Sequence, residues 1–468
     1  MKKILPLFLF FVCVSLSANK ADTVKADTAF YEKVQKAYRY RVYLTDKKNN
    51  PYSLKKPEAF LSEKSLARRK KFGLKLDKHD LPVTPAYVEE LRAQGLRIHC
   101  VSKWNNTVVV EMGDTLQAKN VEALPFVSAV RKVWESRDSV LCVQWDRKAL
   151  VENKRDTLDN FYGKGQKQLE QLGADQLHKA GYRGKGMTIA VIDGGFFNVD
   201  AISAFKNTRI LGTRNFVNPQ KSVYAEMQPH GTMVLGCIAP YEAYFHVGTA
   251  PEASFYLLQS EDTGSEQIVE EDNWCAAVEY ADSIGADIVT SSLGYTEFDN
   301  PLDSHKYFEQ DGRTALNSRS ASLAASRGLL LLNSAGNEGE GTWKKIGFPA
   351  DASDILTVGA VDYGGLIAEF SSLGNTADGR IKPDVMAVGK GTWVIDAKGN
   401  AVQSSGTSFS CPVLCGAVAC LWQAFPEKTP VEIIDAVQRA GNNYSHPDNI
   451  YGYGIPNVWK AYNILKEQ

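Results

Sequence analysis

Five short apolar runs constrain this chain more than any other feature: Met187–Ile192, Ser254–Gln259, Ile288–Leu293, Leu329–Asn333 and Ile355–Val361. Stretches with helical patterning, Glu266–Ser283, Thr314–Arg327, Ser408–Ala424 and Pro430–Arg439, separate and follow them. Apolar runs of this length suit strands buried on both faces, and their alternation with helices predicts a mostly parallel sheet with helices on both sides. Open sheets of this kind carry their chemistry at the C-terminal strand ends. The functional residues are therefore expected where the apolar runs stop.

Two of the runs stop at a polar group. Thr188 to Ile192 leads into Asp193-Gly194-Gly195, which delivers a carboxylate at a strand end. Leu332 to Gly339 ends in a glycine-rich turn bearing Asn337. Two helices open on a reactive side chain. His230-Gly231-Thr232-Met233 begins a small-residue helix, and Ser405-Gly406-Thr407-Ser408 leads into an apolar one. The start of a helix offers free N–H groups and a positive dipole end, both favourable to a developing oxyanion beside Ser408. Pro412 is expected in the first helical turn, where its missing N–H has no intrahelical use. Singly, each residue has an ordinary explanation as a cap, a structural histidine or a turn residue. Together, in the order Asp, His, Asn, Ser, they supply a nucleophile, a base, the base's carboxylate partner and an oxyanion donor.

From Tyr162 to Leu465 these motifs resemble those of the subtilisin-like serine proteases, the subtilases. The resemblance implies a subtilisin-like fold, with Ser408 as nucleophile, His230 as general base and then acid, and Asp193 orienting the imidazole. It gives Asn337, with the Ser408 N–H, the oxyanion. Departures are mild. Met233 stands where the family has a second histidine, Phe409-Ser410 replaces Met-Ala, and Val388 replaces a proline after Lys382-Pro383-Asp384. None of these groups transfers a proton. Ser292, Leu293 and Gly294 resemble the strand end that pairs with an extended substrate, with Gly264 on the opposing edge. Gly336, together with Gly347 to Ala350, is expected at the primary pocket, and the insertion Tyr295 to Asp311 at the cleft border. No cofactor is required for the chemistry. Structural calcium is a family habit for which the sequence offers no ligand set, so no metal ligand is assigned. The acidic run Glu270-Glu271-Asp272 reads as a solvated helix face.

Upstream, Met1-Lys2-Lys3, the apolar Ile4 to Leu16 and the small residues to Ala18 read as a signal peptide, residues 1–18. Export to the periplasm or the extracellular space follows. Residues 19–134 give strand, helix, strand, strand, helix, strand. The strands are Tyr40–Thr45, Ile98–Ser102, Thr107–Met112 and Val127–Val133, with helices over Glu58–Lys71, Ala86–Gln94 and Val121–Leu124. That order is a ferredoxin-like α+β unit. It is similar to subtilase propeptides, which template folding and inhibit the enzyme; an unrelated binding domain is the alternative. Residues 135–161 read as an exposed connector with the processing site, its basic pairs being Arg147-Lys148 and Lys154-Arg155. Residues 162–468 form the catalytic domain.

A net charge of -1 offers no electrostatic reason to expect nucleic acid or an anionic membrane as partner. No apolar run after the first reaches spanning length, so no membrane span is expected in the mature protein. Of eight cysteines, Cys13 leaves with the signal, and Cys100 and Cys142 precede the protease region. Cys237, Cys275, Cys411, Cys415 and Cys420 read as small core hydrophobes; Cys411 as a nucleophile is the weaker alternative. The expectation is a secreted serine endopeptidase acting on polypeptides through an acyl-enzyme, made as a self-processing zymogen with its own propeptide as inhibitor. The alternatives are a restricted or inactive fold that only binds peptides, and proteolysis limited to self-processing.

Overall fold

The structure is a computed structural model that describes residues 28–33, 36–113, 116–137, 139–144, 147, 150–151 and 156–468. The signal segment with Cys13, and the basic residues Lys148, Lys154 and Arg155, lie outside the described residues, as does the Cys142 side chain.

The N-terminal unit is a four-stranded antiparallel sheet. Its strands are β1 (Tyr38–Leu44), β2 (Arg97–Ser102), β3 (Thr107–Met112) and β4 (Val127–Glu135), in the order β2-β3-β1-β4. Helices α1 (Glu63–Lys71), α2 (Pro85–Ala93) and α3 (Leu116–Glu122) complete the ferredoxin-like arrangement. Val42, Leu91, Val108 and Val110 fill its core. Asn106 turns the β2–β3 hairpin in the left-handed region, at φ 53°. Helix α1 starts at Glu63 instead of Glu58, because the Ser62 side chain caps it by accepting the Ser65 N–H. The segment read as a bare connector begins with a strand: Ser139–Gln144 pairs antiparallel with Thr28–Lys33.

The second unit is a seven-stranded sheet, parallel throughout. Its strands are β5 (Thr188–Asp193), β6 (Arg209–Asn215), β7 (Ser254–Gln259), β8 (Ile288–Ser291), β9 (Leu330–Ser334), β10 (Leu356–Val361) and β11 (Val385–Val388), in the order β6-β7-β5-β8-β9-β10-β11. Side chains alternate across it. Ile189 and Val191 pack on one face, toward α4 (His230–Ile238) and α7 (Thr407–Ala424). Ala190 and Ile192 pack on the other, toward α5 (Val269–Ile284) and α6 (Leu316–Ser326). After β5 the chain fills one side of the sheet and then the other, so a crevice opens between the ends of β5 and β8.

Helix α7 corrects two expectations. Its 18 residues have the length and apolarity of a membrane span, yet they are core helix, 83% buried. Pro412 also lies deeper than the first turn, since α7 begins at Thr407. Its missing N–H leaves the Ser408 carbonyl without its helical partner, and the Ser292 hydroxyl donates to that carbonyl at 2.8 Å instead.

The ferredoxin-like unit packs on α5 through buried polar contacts. Arg41 clasps Asp272 with two bonds of 2.7 and 2.6 Å. His99 Nε2 meets the Asn273 side-chain oxygen at 2.8 Å, and Glu279 accepts the Lys103 and Trp104 N–H groups. Arg69 bridges Asp80 and Asp282. The acidic run 270–272 is therefore not a solvated face: each of its three residues is only 1% exposed. Besides Asp272, Glu271 meets His305 at 2.7 Å, and Glu270 accepts the N–H groups of Asp262 and Gln267.

Candidate active site

Asp193 is the last residue of β5, and His230 the first of α4. Gly231 lets that helix come close: a Cβ there would stand 2.4 Å from the Gly195 carbonyl oxygen and 3.0 Å from Asp193 Cβ. The approach leaves His230 Nδ1 2.8 Å from Asp193 Oδ1, which also accepts the Gly194 N–H at 2.7 Å. Asp193 is fully buried. Burial pushes the His230 imidazole down, but the carboxylates of Asp193 and Glu261 outweigh it, and its pKa stands above the usual histidine value.

Ser408 lies in the first turn of α7, where its N–H has no helical acceptor. Its hydroxyl donates to the Ser292 carbonyl at 3.3 Å, and among the described residues it makes no hydrogen bond to His230. The His230 ring lies 5.9 Å from that of Phe409, the next residue along. Resting sites often hold such bonds open until substrate arrives.

Asn337 follows β9, on a turn where Gly336 takes φ 109° and a Cβ would stand 2.8 Å from Ser372 Oγ. The N–H and the hydroxyl of Thr407 both donate to Asn337 Oδ1, each at 2.9 Å. The amide oxygen is thereby occupied, and Nδ2 is the end free to donate.

Asp193, His230, Ser408, Asn337, Ser292, Leu293, Gly294 and Gly336 all line one cleft of about 660 Å³. Gly264 does not, although its neighbour Thr263 does; Gly347 and residues 296–299 of the insertion also border it. Sequence reasoning passed over Thr407, which orients Asn337, and Gln228, whose Oε1 accepts the His230 N–H at 3.1 Å. It also passed over Glu261, which takes a hydrogen bond from the buried Tyr295 hydroxyl. Thr407 had a signal in its place before Ser408, and Glu261 in lying two residues beyond Gln259, the β7 partner of Asp193.

Cys411 is fully buried, with Sγ 3.5 Å from Thr290 Oγ1, and burial pushes its thiol up to about 12. It is no nucleophile. The six described cysteines are all unpaired and buried. No group of three or more His, Cys, Asp or Glu side chains among the described residues could hold a metal ion, so no calcium ligand is assigned.

The Subtilase family model matches residues 184–454, and a Peptidase S8 propeptide domain of Bacteroidota matches residues 39–144. Subtilisin E of Bacillus subtilis (strain 168) is 32% identical over 297 residues, covering 63% of this chain and 70% of that protein. The subtilisin of Bacillus pumilus is 31% identical over 297 residues, covering 63% and 97%. The crystal structure of a mutant epidermin leader peptide processing serine protease from Staphylococcus aureus shares the fold, with a TM-score of 0.62 and 15% identity over 92% of this chain and 99% of that one. The chain belongs to the subtilase family, and it is a serine endopeptidase with an N-terminal propeptide domain.

Proposed function

We propose that Ser408 is the nucleophile, His230 the proton shuttle and Asp193 the residue that orients it. Ser408 Oγ bonds to the scissile carbonyl carbon while its proton passes to His230 Nε2. The oxyanion is held by Asn337 Nδ2 and the Ser408 N–H. Collapse breaks the C–N bond, His230 protonates the departing amine, and water repeats the sequence to release the acyl group. The 2.8 Å bond between His230 Nδ1 and Asp193 carries this reading. It commits the Nδ1 proton to the carboxylate and leaves Nε2 to accept, in the cleft that Ser408 lines. Rotation of the Ser408 hydroxyl away from the Ser292 carbonyl starts the reaction. Ser292, Leu293, Gly294 and Gly336 serve the extended substrate, and Gly264 supports the opposing loop.

The chain is made as an exported zymogen: signal 1–18, inhibitory propeptide 19–134, processing within 135–161 and catalytic domain 162–468. The docking of Glu135 on Gln267 beside the cleft supports this order, with the Glu135 N–H donating to Oε1 at 2.8 Å and Nε2 donating to the Glu135 carbonyl at 3.0 Å. Wild-type chain and Ser408→Ala, expressed in a host without other proteases, test the proposal by N-terminal sequencing. The expected result is wild type cut within 135–161 and mutant left whole; a mutant trimmed like wild type would refute self-processing.

A further inference from the structure

Acidic side chains crowd the cleft. Six carboxylates line it, from Asp193, Glu261, Glu266, Glu297, Asp299 and Glu338, and among the described residues no lysine or arginine does. The whole chain is nearly neutral, at -1, so this is a local accumulation. Asp193 is committed to His230; among the described residues the other five make no ion pair. Among the described residues, Glu261 has only the neutral Tyr295 hydroxyl as donor. Burial first, then the charges of Asp193 and Asp262, push Glu261 up to about 7. Beneath the loop, Glu270 is almost fully buried and accepts the Asp262 and Gln267 N–H groups at 2.9 and 3.2 Å; burial first, then the neighbouring carboxylates, push its carboxyl well above the usual range, and in the same way push Glu266 up to about 8. A substrate cation would relieve this repulsion.

A second observation concerns the chain's own tail. Both main-chain groups of Glu135 are bound by Gln267, on the loop that carries Glu266. Two residues on, Arg137 faces the same loop. A Cβ carried by Gly264 would lie 3.7 Å from Arg137 Nη1 and 3.0 Å from Asp262 Oδ1. The peptide segment leaving the propeptide beside the cleft thus presents a guanidinium to its acidic loop.

We propose that the cleft selects polypeptides carrying lysine or arginine near the scissile bond, with Glu261, Glu266 and Asp299 as the selecting carboxylates. The proposal rests on the proteolytic reading of the site. Opposite charge favours both encounter and binding, so the preference belongs to kcat/KM and weakens with salt.

The test uses processed wild-type enzyme and pairs of fluorogenic peptides identical except for Lys or Arg against Gln on the N-terminal side of the cleaved bond. At low salt the cationic peptide should lead by about tenfold in kcat/KM, equivalent to about 1.4 kcal/mol. The ratio should fall toward one near 1 M salt, where screening acts within about 3 Å. Glu266→Lys, at an exposed position that spares the fold, should lower or invert it. A ratio of one or less, with turnover that depends on Ser408, overturns the charge preference and leaves proteolysis standing. No turnover of any peptide overturns both.

Discussion

Replacing Arg41 by alanine should sharply weaken the hold of the propeptide on the enzyme. The guanidinium and the Asp272 carboxylate are each 1% exposed, joined by two bonds, with a third from Arg41 to the Ile268 carbonyl at 3.3 Å. Alanine leaves Asp272 buried with no cation, a loss of about 3–5 kcal/mol for a broken buried pair. That corresponds to roughly a hundred- to several-thousand-fold in inhibition constant. The Arg131–Asp303 pair, at 2.7 Å with side chains 41% and 19% exposed, is the internal control. As a solvated pair it contributes about 0.2–1 kcal/mol, so Arg131→Ala should cost about fivefold at most. The assay titrates the isolated segment 19–144, wild type or variant, against processed enzyme, with circular dichroism to verify its fold. Combining Arg41→Met with Asp272→Leu should recover much of the loss, because no charge is then stranded. An Arg41→Ala segment that folds and inhibits within fivefold of wild type would refute the reasoning.

Asn337→Ala should lower kcat about a hundredfold or more with little change in KM, because the oxyanion exists only in the transition state; steady-state kinetics giving equal kcat would make Asn337 a turn residue. The acid limb of kcat/KM should lie above pH 6.5, because a raised His230 pKa keeps the imidazole protonated, and so unable to act as base, to higher pH. Glu261→Gln should move that limb down, and an unmoved limb would exclude its influence on His230. Burial first, then Arg39 and Arg97, hold His99 down to about 3 in the docked propeptide. Its free form gains a proton as pH falls below 6.5, so docking should weaken by up to tenfold per pH unit from there toward 3. Glu279, pushed up to about 6 mainly by burial, opposes this loss between about pH 6 and 4.5. His99→Gln should flatten the profile, as read from inhibition constants measured across that range.

The sheet was legible where burial on both faces makes a strand uniformly apolar, as in β5 and β9. It was not at edge strand β6, where only Asn215 of seven residues is buried, nor in β11, four residues long after Pro383. The site was legible because Asp193, His230, Asn337 and Ser408 each stand at or beside the end of an element within a short motif. Contacts between distant segments were not. Arg41 and Asp272 are 231 residues apart, and nothing local marks Asp272 as paired. For the same reason the run 270–272 read as solvated: its charge was visible, and the arginine that neutralises part of it was not. Pro412 was misplaced because the first turn of α7 depends on the Thr407–Asn337 clamp, which joins segments 70 residues apart.

The central claim, that Ser408 is the nucleophile, is tested most directly by covalent labelling. Processed enzyme treated with a fluorophosphonate and digested for mass spectrometry should carry one label, on Ser408, with activity lost in proportion to labelling. Excess peptide substrate should slow the labelling, and a His230→Ala chain should label far more slowly. A label on another residue, or full activity after stoichiometric labelling of Ser408, would contradict the account.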